Sequence, residues 1–351
     1  MSRILKEDVE RIISDSNIPW NDLRNSAVLI TGATGLIGNI LVNALSAANR
    51  KYKLNIRIIA HGRNALKGKT LSLQYGVEFI AGDICESLPI SLVTDRVDYI
   101  FHCAAITKSA DMVAKSVEVI NISIDGTRNV LELARKMKSK SIVFLSSMEV
   151  YGQTELKQVY ESDLGYLDLT NPRSSYPESK RLCENMCACY WSQFGVKVKV
   201  ARLARTFGAG TPNDDFDMRV AMQFARKAIL REDIELHTIG NSLANCCYTA
   251  DAISGLLILL LKGKNGEAYN IVNSKASVSI RQMADIIAKE ICGGNINVII
   301  KVPNDVKKLG YAPDVGFVLN SDKIEQLGWR PQYGIVEMYK RMIADWQNNE
   351  R

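Results

Sequence analysis

Val28-Leu29-Ile30-Thr31-Gly32-Ala33-Thr34-Gly35-Leu36-Ile37-Gly38 decides the fold of this 351-residue chain. The stretch reads as a short buried strand, a glycine turn and the start of a helix that continues through Ile40, Leu41, Ala44 and Leu45. Gly32, Gly35 and Gly38 recur at every third position. A strand that turns at once into a helix presents free backbone amides at the helix N-terminus, and a diphosphate sits there readily. Glycine allows the sharp turn and the close approach of phosphate to backbone. A bare βα turn needs no such triplet, so Gly32, Thr34, Gly35, Leu36, Ile37 and Gly38 are read as a dinucleotide cradle.

Outward from this point the pattern repeats. Strands are predicted at Ile56–Ala60, Val77–Ala81, Val97–His102, Ser141–Ser146 and Val196–Leu203, and long helices at Val113–Lys136 and Ser175–Phe194. Such βαβ alternation predicts a doubly wound parallel α/β sheet covered by helices on both faces. Before it, Ile4, Leu5, Val9, Ile12 and Ile13 have helical spacing. Residues 1–25 are therefore read as a helical extension packed on the body or on a partner subunit. After Gly208 the elements shorten. A loop spans 209–215, and helices are predicted at Met218–Arg231, Thr249–Lys262, Ile280–Ile291 and Ile335–Trp346. Short strands are predicted at Ile234–Thr238 and Ala268–Ile271. The division is residues 26–204 as the dinucleotide-binding domain and 205–351 as a smaller α/β substrate lobe interleaved with it.

Composition sets limits. Hydrophobic content of 47% and charged content of 23% are ordinary for a globular protein. The net charge of +6 is spread without a basic run or a basic-aromatic stripe, so no nucleic-acid partner is expected. Eight cysteines form no CxxC pair and stand beside three histidines, so no metal is expected and the thiols are read as reduced and cytoplasmic. The N-terminus carries charges where a signal peptide needs an apolar run. The longest apolar run, Leu256 to Leu261, is too short for a membrane span.

Two further stretches carry chemistry. In Tyr176-Pro177-Glu178-Ser179-Lys180 the first and last residues share one helical face. An ammonium beside a phenol lowers its pKa, and the pair can take a proton from a sugar hydroxyl. In Ser146-Ser147-Met148-Glu149-Val150-Tyr151-Gly152, Ser147 falls just past a strand end. Its hydroxyl can bridge to the same substrate oxygen. Glu149 beside the substrate can serve as general base on a carbon next to a ketone, or orient a leaving group. The plain alternatives are a turn-capping serine and a solvated loop acid.

Together these motifs resemble the extended short-chain dehydrogenase/reductases that act on nucleotide sugars, a Rossmann-like family of epimerases, dehydratases and decarboxylases. The resemblance runs from about residue 26 to the end. Phe101-His102-Cys103-Ala104-Ala105, Asn121 with Gly126-Thr127-Arg128-Asn129, Asp251 and Ala268-Tyr269-Asn270-Ile271 add to it. It implies NAD as cofactor, a nucleotide-diphosphate sugar as substrate and a homodimer. It implies Ser147, Tyr176 and Lys180 as the catalytic triad with Glu149 assisting. It places Asp83 and Ile84 at adenine, Ala104, Ala105 and Asn121 along the cofactor, and Thr107, Met148, Arg205 and Asn245 at the substrate. Glu149 matches the glutamate of decarboxylases and dehydratases, whereas simple 4-epimerases have a small or hydroxyl residue there. Met148 replaces the aspartic acid of the dTDP-glucose dehydratases.

Two departures stand out. Ala60-His61-Gly62-Arg63-Asn64 lacks the acid that usually holds the NAD ribose, and Arg63 could instead pair with the extra phosphate of NADP. Ala244 stands where the family presents an arginine to the diphosphate, and Arg205 could take over that charge. The expected activity is oxidation of the sugar at C4, followed by dehydration, decarboxylation or epimerisation. The rivals are an NADPH-dependent 4-ketosugar reductase, favoured by Arg63, and a non-catalytic nucleotide-binding relative, favoured by Ala244.

Overall fold

The computed structural model describes residues 1–86, 96–213, 219–303 and 314–349. The expected residues 214, 215 and 218 of the loop and following helix lie outside these. The first helix, α1 (Arg3–Ile13), is capped by Ser2, whose hydroxyl accepts from the Leu5 amide. Its Val9, Ile12 and Ile13 are buried, so the extension packs on the body of its own chain.

The main sheet contains β1 (Ala27–Thr31), β2 (Arg57–Gly62), β3 (Glu78–Ala81), β4 (Tyr99–His102) and β5 (Ser141–Ser147). A short β6 (Gln158–Val159) lies outside it, and β7 (Val198–Leu203) returns to it. The helices between are α2 (Leu36–Tyr52), α3 (Ala65–Tyr75), α4 (Ser109–Ala114), α5 (Ser116–Met137) and α6 (Ser175–Phe194). The predicted helix at 113–136 is broken at Lys115, whose φ of −130° and ψ of 42° leave the helical region.

The remaining elements are β8 (Arg205–Phe207), α7 (Val220–Leu230), β9 (Ile234–Leu236), β10 (Leu243–Tyr248), α8 (Thr249–Lys262), β11 (Ala268–Ile271), β12 (Asn273–Ser279), α9 (Ile280–Ile286), β13 (Val298–Ile300), β14 (Val318–Leu319), α10 (Asp322–Glu325) and α11 (Ile335–Asn349). The main sheet is parallel and seven-stranded, in the order β11-β7-β5-β4-β1-β2-β3. Its strand order reverses on either side of β1, so helices cover both faces and a crevice opens beside β1 and β4. β11 comes from the second half of the chain yet pairs with β7, so the two halves share one sheet.

A smaller sheet, β12-β10-β8, stands beside the main one. In β10 a bulge falls between Ala244 and Cys246. Asn245 sits at that bulge, fully buried. Its amide donates to the Phe317 carbonyl at 3.0 Å and its oxygen accepts from Leu319 N–H at 2.8 Å and the Ser277 hydroxyl at 2.9 Å. The side chain thereby ties the bulge of β10 to the backbone of Phe317 and Leu319 beside it.

Candidate active site

Parallel pairing aligns the C-terminal ends of the strands, with Thr31 opposite His102, His102 opposite Phe144 and Ser147 opposite Leu203. Gly32, Ala104, Ser147 and Arg205 therefore gather along one edge of the fold.

The three glycines of the first turn do different work. Gly32 has φ of +65°, and a Cβ on it would lie 2.8 Å from the Ala104 amide nitrogen. A Cβ on Gly38 would lie 2.4 Å from the Gly32 carbonyl oxygen, so this glycine lets α2 pack against the turn. Gly35 is different. It is exposed, a Cβ there would meet only the Gly32 oxygen at 3.3 Å, and no side chain caps α2. No side chain therefore occupies the cap of the first helical turn, where a bound diphosphate would sit.

Thr31 braces this edge. Its hydroxyl bonds His102 Nδ1 at 2.8 Å and accepts from the Ala104 amide at 3.3 Å. His102 is buried, and burial pushes its pKa down to about 3, so the ring stays neutral. Beyond β3, Asp83 accepts from the Cys85 amide at 2.9 Å, which holds its carboxyl below the usual range. Asn129 on α5 donates to the carbonyls of Ile84, Cys85 and Glu86 and pins that loop. Ile84 is buried, while Arg63, Thr107 and Asn121 are exposed and Ala104 and Ala105 half-buried. Arg63 interacts electrostatically with Asp83.

Ser147 ends β5, and its hydroxyl accepts from the Glu149 amide at 3.2 Å. Met148 beside it is buried. Tyr176 and Lys180 lie in the first two turns of α6, both buried. Lys180 Nζ donates to the Leu145 carbonyl at 2.7 Å and stands 5.8 Å from the Tyr176 ring centroid. The expected lowering of the phenol does not appear. Burial drives the Tyr176 pKa well up, the Glu149 charge raises it further, and Ser147, Arg173 and Arg219 oppose the rise. Burial also pushes Lys180 down. For both groups desolvation is the largest effect.

The structure adds a partner that spacing did not reveal. Arg173, three residues before Tyr176, places Nη2 at 3.0 Å from Oε1 and 2.9 Å from Oε2 of Glu149. A second network lies beneath. Arg202 on β7 pairs with Glu184 on α6 at 2.7 Å and donates to the Tyr151 hydroxyl at 3.0 Å, and Tyr151 donates to Asn270 at 2.6 Å. This network ties β7, α6, β11 and the loop after Ser147 together under the site.

At the junction with the small sheet, Arg205 is half-buried and makes no ion pair among the described residues. In register it pairs with Cys246, next but one to the fully buried Ala244. Among the described residues no group of three or more His, Cys, Asp or Glu could hold a metal. None of their helices is long and apolar enough to cross a membrane.

A parallel sheet with a glycine-rich first turn, a serine at a strand end and a Tyr-Lys pair at the start of α6 defines a dinucleotide-dependent enzyme of the short-chain dehydrogenase/reductase class. The model of the NAD dependent epimerase/dehydratase family matches residues 28–272, and the chain belongs to that family. It is 26% identical over 336 residues to the dTDP-D-glucose 4,6-dehydratase of Bos taurus, covering 92% of this chain and 91% of that one. UDP-glucuronic acid decarboxylase 3 of Arabidopsis thaliana is 28% identical over 330 residues, covering 92% and 90%. A UDP-glucose 4-epimerase from Thermotoga maritima has the same fold, with a TM-score of 0.79 at 21% identity over 93% of this chain and 100% of that chain.

Proposed function

We propose that the chain oxidises a nucleotide-diphosphate sugar at C4 and then works on the carbon beside the new ketone, in a dehydration or a decarboxylation. The observation that carries this reading is Glu149, whose charge reaches Tyr176 in the same pocket. Plain 4-epimerisation needs no carboxylate there. When bound, NAD would supply the hydride acceptor. Gly32, Thr34, Gly35, Leu36, Ile37 and Gly38 hold its diphosphate, Asp83 and Ile84 its adenine, and Ala104, Ala105 and Asn121 flank it. Arg63 has Asp83 as a neighbour, which favours NAD over a cofactor bringing a further phosphate to that spot.

Tyr176 receives the proton of the C4 hydroxyl, Ser147 bonds the same oxygen, and Lys180 holds positive charge beneath the phenol. The ketone acidifies the C5 proton, or accepts the electrons left when a C6 carboxylate departs as carbon dioxide. Glu149 serves this later step. Thr107 and Met148 line the sugar, and Arg205 supports the diphosphate in place of the absent arginine at Ala244. Asn245 keeps its structural task at the bulge.

Outside the site, Val117 and Ile120 on α5 and Leu182 on α6 are exposed apolar residues on packed neighbouring helices. They support pairing with a second copy across these helices. All eight cysteines are free thiols, which supports a reducing, cytoplasmic setting.

A Glu149→Gln variant tests the chemistry in a single turnover with bound NAD. The near-ultraviolet absorbance of reduced nicotinamide is expected to appear and persist while final product fails to form. Normal product formation would leave Glu149 without this role.

A further inference from the structure

We infer that Arg173 is the positioning residue of Glu149: it aims the carboxylate at the sugar and so governs the step after C4 oxidation. The inference rests on the reading of Glu149 above. Local sequence builds the position. Asn171 accepts from the Arg173 amide at 3.0 Å, and Pro172 starts a short 3₁₀ turn whose φ it fixes. Arg173 is thereby held on a rigid corner directly before α6, the helix that carries Tyr176 and Lys180. Glu149 comes from the other wall, the 3₁₀ turn at Met148–Tyr151 after β5.

The contact bridges these two walls. One nitrogen, Nη2, reaches both carboxylate oxygens, at 3.0 and 2.9 Å. The Arg173 side chain is 15% exposed and that of Glu149 is 36% exposed. The cation is thus the more enclosed partner and the carboxylate the more exposed one. A surface ion pair of two mobile side chains would fix little. Here one partner is packed, so the carboxylate loses rotamers that point away from the sugar. Arg173 also acts on Tyr176 with sign opposite to Glu149. The pair therefore keeps the charge of the base from raising the tyrosine further. Its role acts through Glu149, not through contact with the cofactor.

Arg173→Met and Arg173→Lys, each alone and the first combined with Glu149→Gln, test this. In single turnovers Arg173→Met is expected to keep the first oxidation and to slow the following step by on the order of 10²-fold, the scale of a misplaced catalytic group. Arg173→Lys is expected to recover part of that loss. NAD affinity by fluorescence titration should stay unchanged in both, which a collapsed site would not allow. The double variant should be no slower than Glu149→Gln, because both changes remove one function. A further multiplicative loss in the double variant overturns the inference, as does normal turnover of Arg173→Met beside a blocked Glu149→Gln. Normal turnover of Glu149→Gln overturns this inference together with the function proposed above.

Discussion

At Tyr176 burial and the proposed proton transfer pull in opposite directions. The phenol packs against Met112 and Val119, and this raises its pKa. A proton acceptor at this position needs positive charge nearby to offset that rise. Tyr176→Phe keeps the packing and removes the proton acceptor. Turnover is expected to fall at least ~10²-fold with NAD binding intact, measured by steady-state rates and by titration. Near-normal turnover would remove Tyr176 from the mechanism. Tyr176, Lys180 and Ser147 were legible in sequence because each falls at a fixed place relative to a strand end or a helical turn. Arg173 was not, because it meets Glu149 across 24 residues of chain and no periodicity joins the two. The resemblance puts Asn245 at the substrate, whereas its buried bonds to Phe317, Leu319 and Ser277 have no signature in spacing.

At the level of elements, α6, α8 and β11 end where their apolar periodicity and flanking signals place them. The small sheet went unread: β8 has three residues and β10 carries a bulge, too little for alternation to register. The end of α8 holds a second buried lysine. Ser141 Oγ donates to the Leu260 carbonyl at 2.7 Å, and Lys199 Nζ donates to that Oγ at 2.5 Å. An ammonium at a helix C-terminus is favourable, yet burial still pushes the Lys199 pKa down to about 8. Below that pH both folded and unfolded chains carry the charge, and the folded chain bears its desolvation cost. Between about pH 8 and the ordinary lysine value of 10.5 the unfolded chain binds the extra proton, so this residue makes stability rise with pH. The rise approaches ~1.4 kcal/mol per pH unit inside the window. Denaturant unfolding at several pH values should show it in the unaltered chain and not in Lys199→Met. Parallel pH curves for the two would refute the assignment.

Across the whole molecule the N-terminal extension is built into the body. Arg11 pairs with the fully buried Asp251 at 2.8 Å, and Asp8 meets Arg341 at 2.8 Å and the Tyr248 hydroxyl. α1 thus lies against α2, where Lys51 pairs with Glu10, and closes over α8 and α11, which no local pattern in residues 1–25 could reveal because these partners lie far along the chain. The exposed apolar residues of α5 and α6 give the assembly prediction. Light scattering should return twice the 39.0 kDa chain mass, and Leu182→Glu should return the chain mass with the fold intact. A monomer in the unaltered protein would contradict the pairing.

The central claim is that the site acts on the carbon beside the C4 ketone. Turnover in deuterium oxide, with whichever of the UDP-, dTDP-, GDP- and CDP-sugars proves to be a substrate, tests it most directly. The account predicts product carrying solvent deuterium at C5, read by mass and NMR, because that carbon is deprotonated or loses carbon dioxide and is then reprotonated. Product formed with no deuterium on carbon would contradict it and leave plain exchange of configuration at C4.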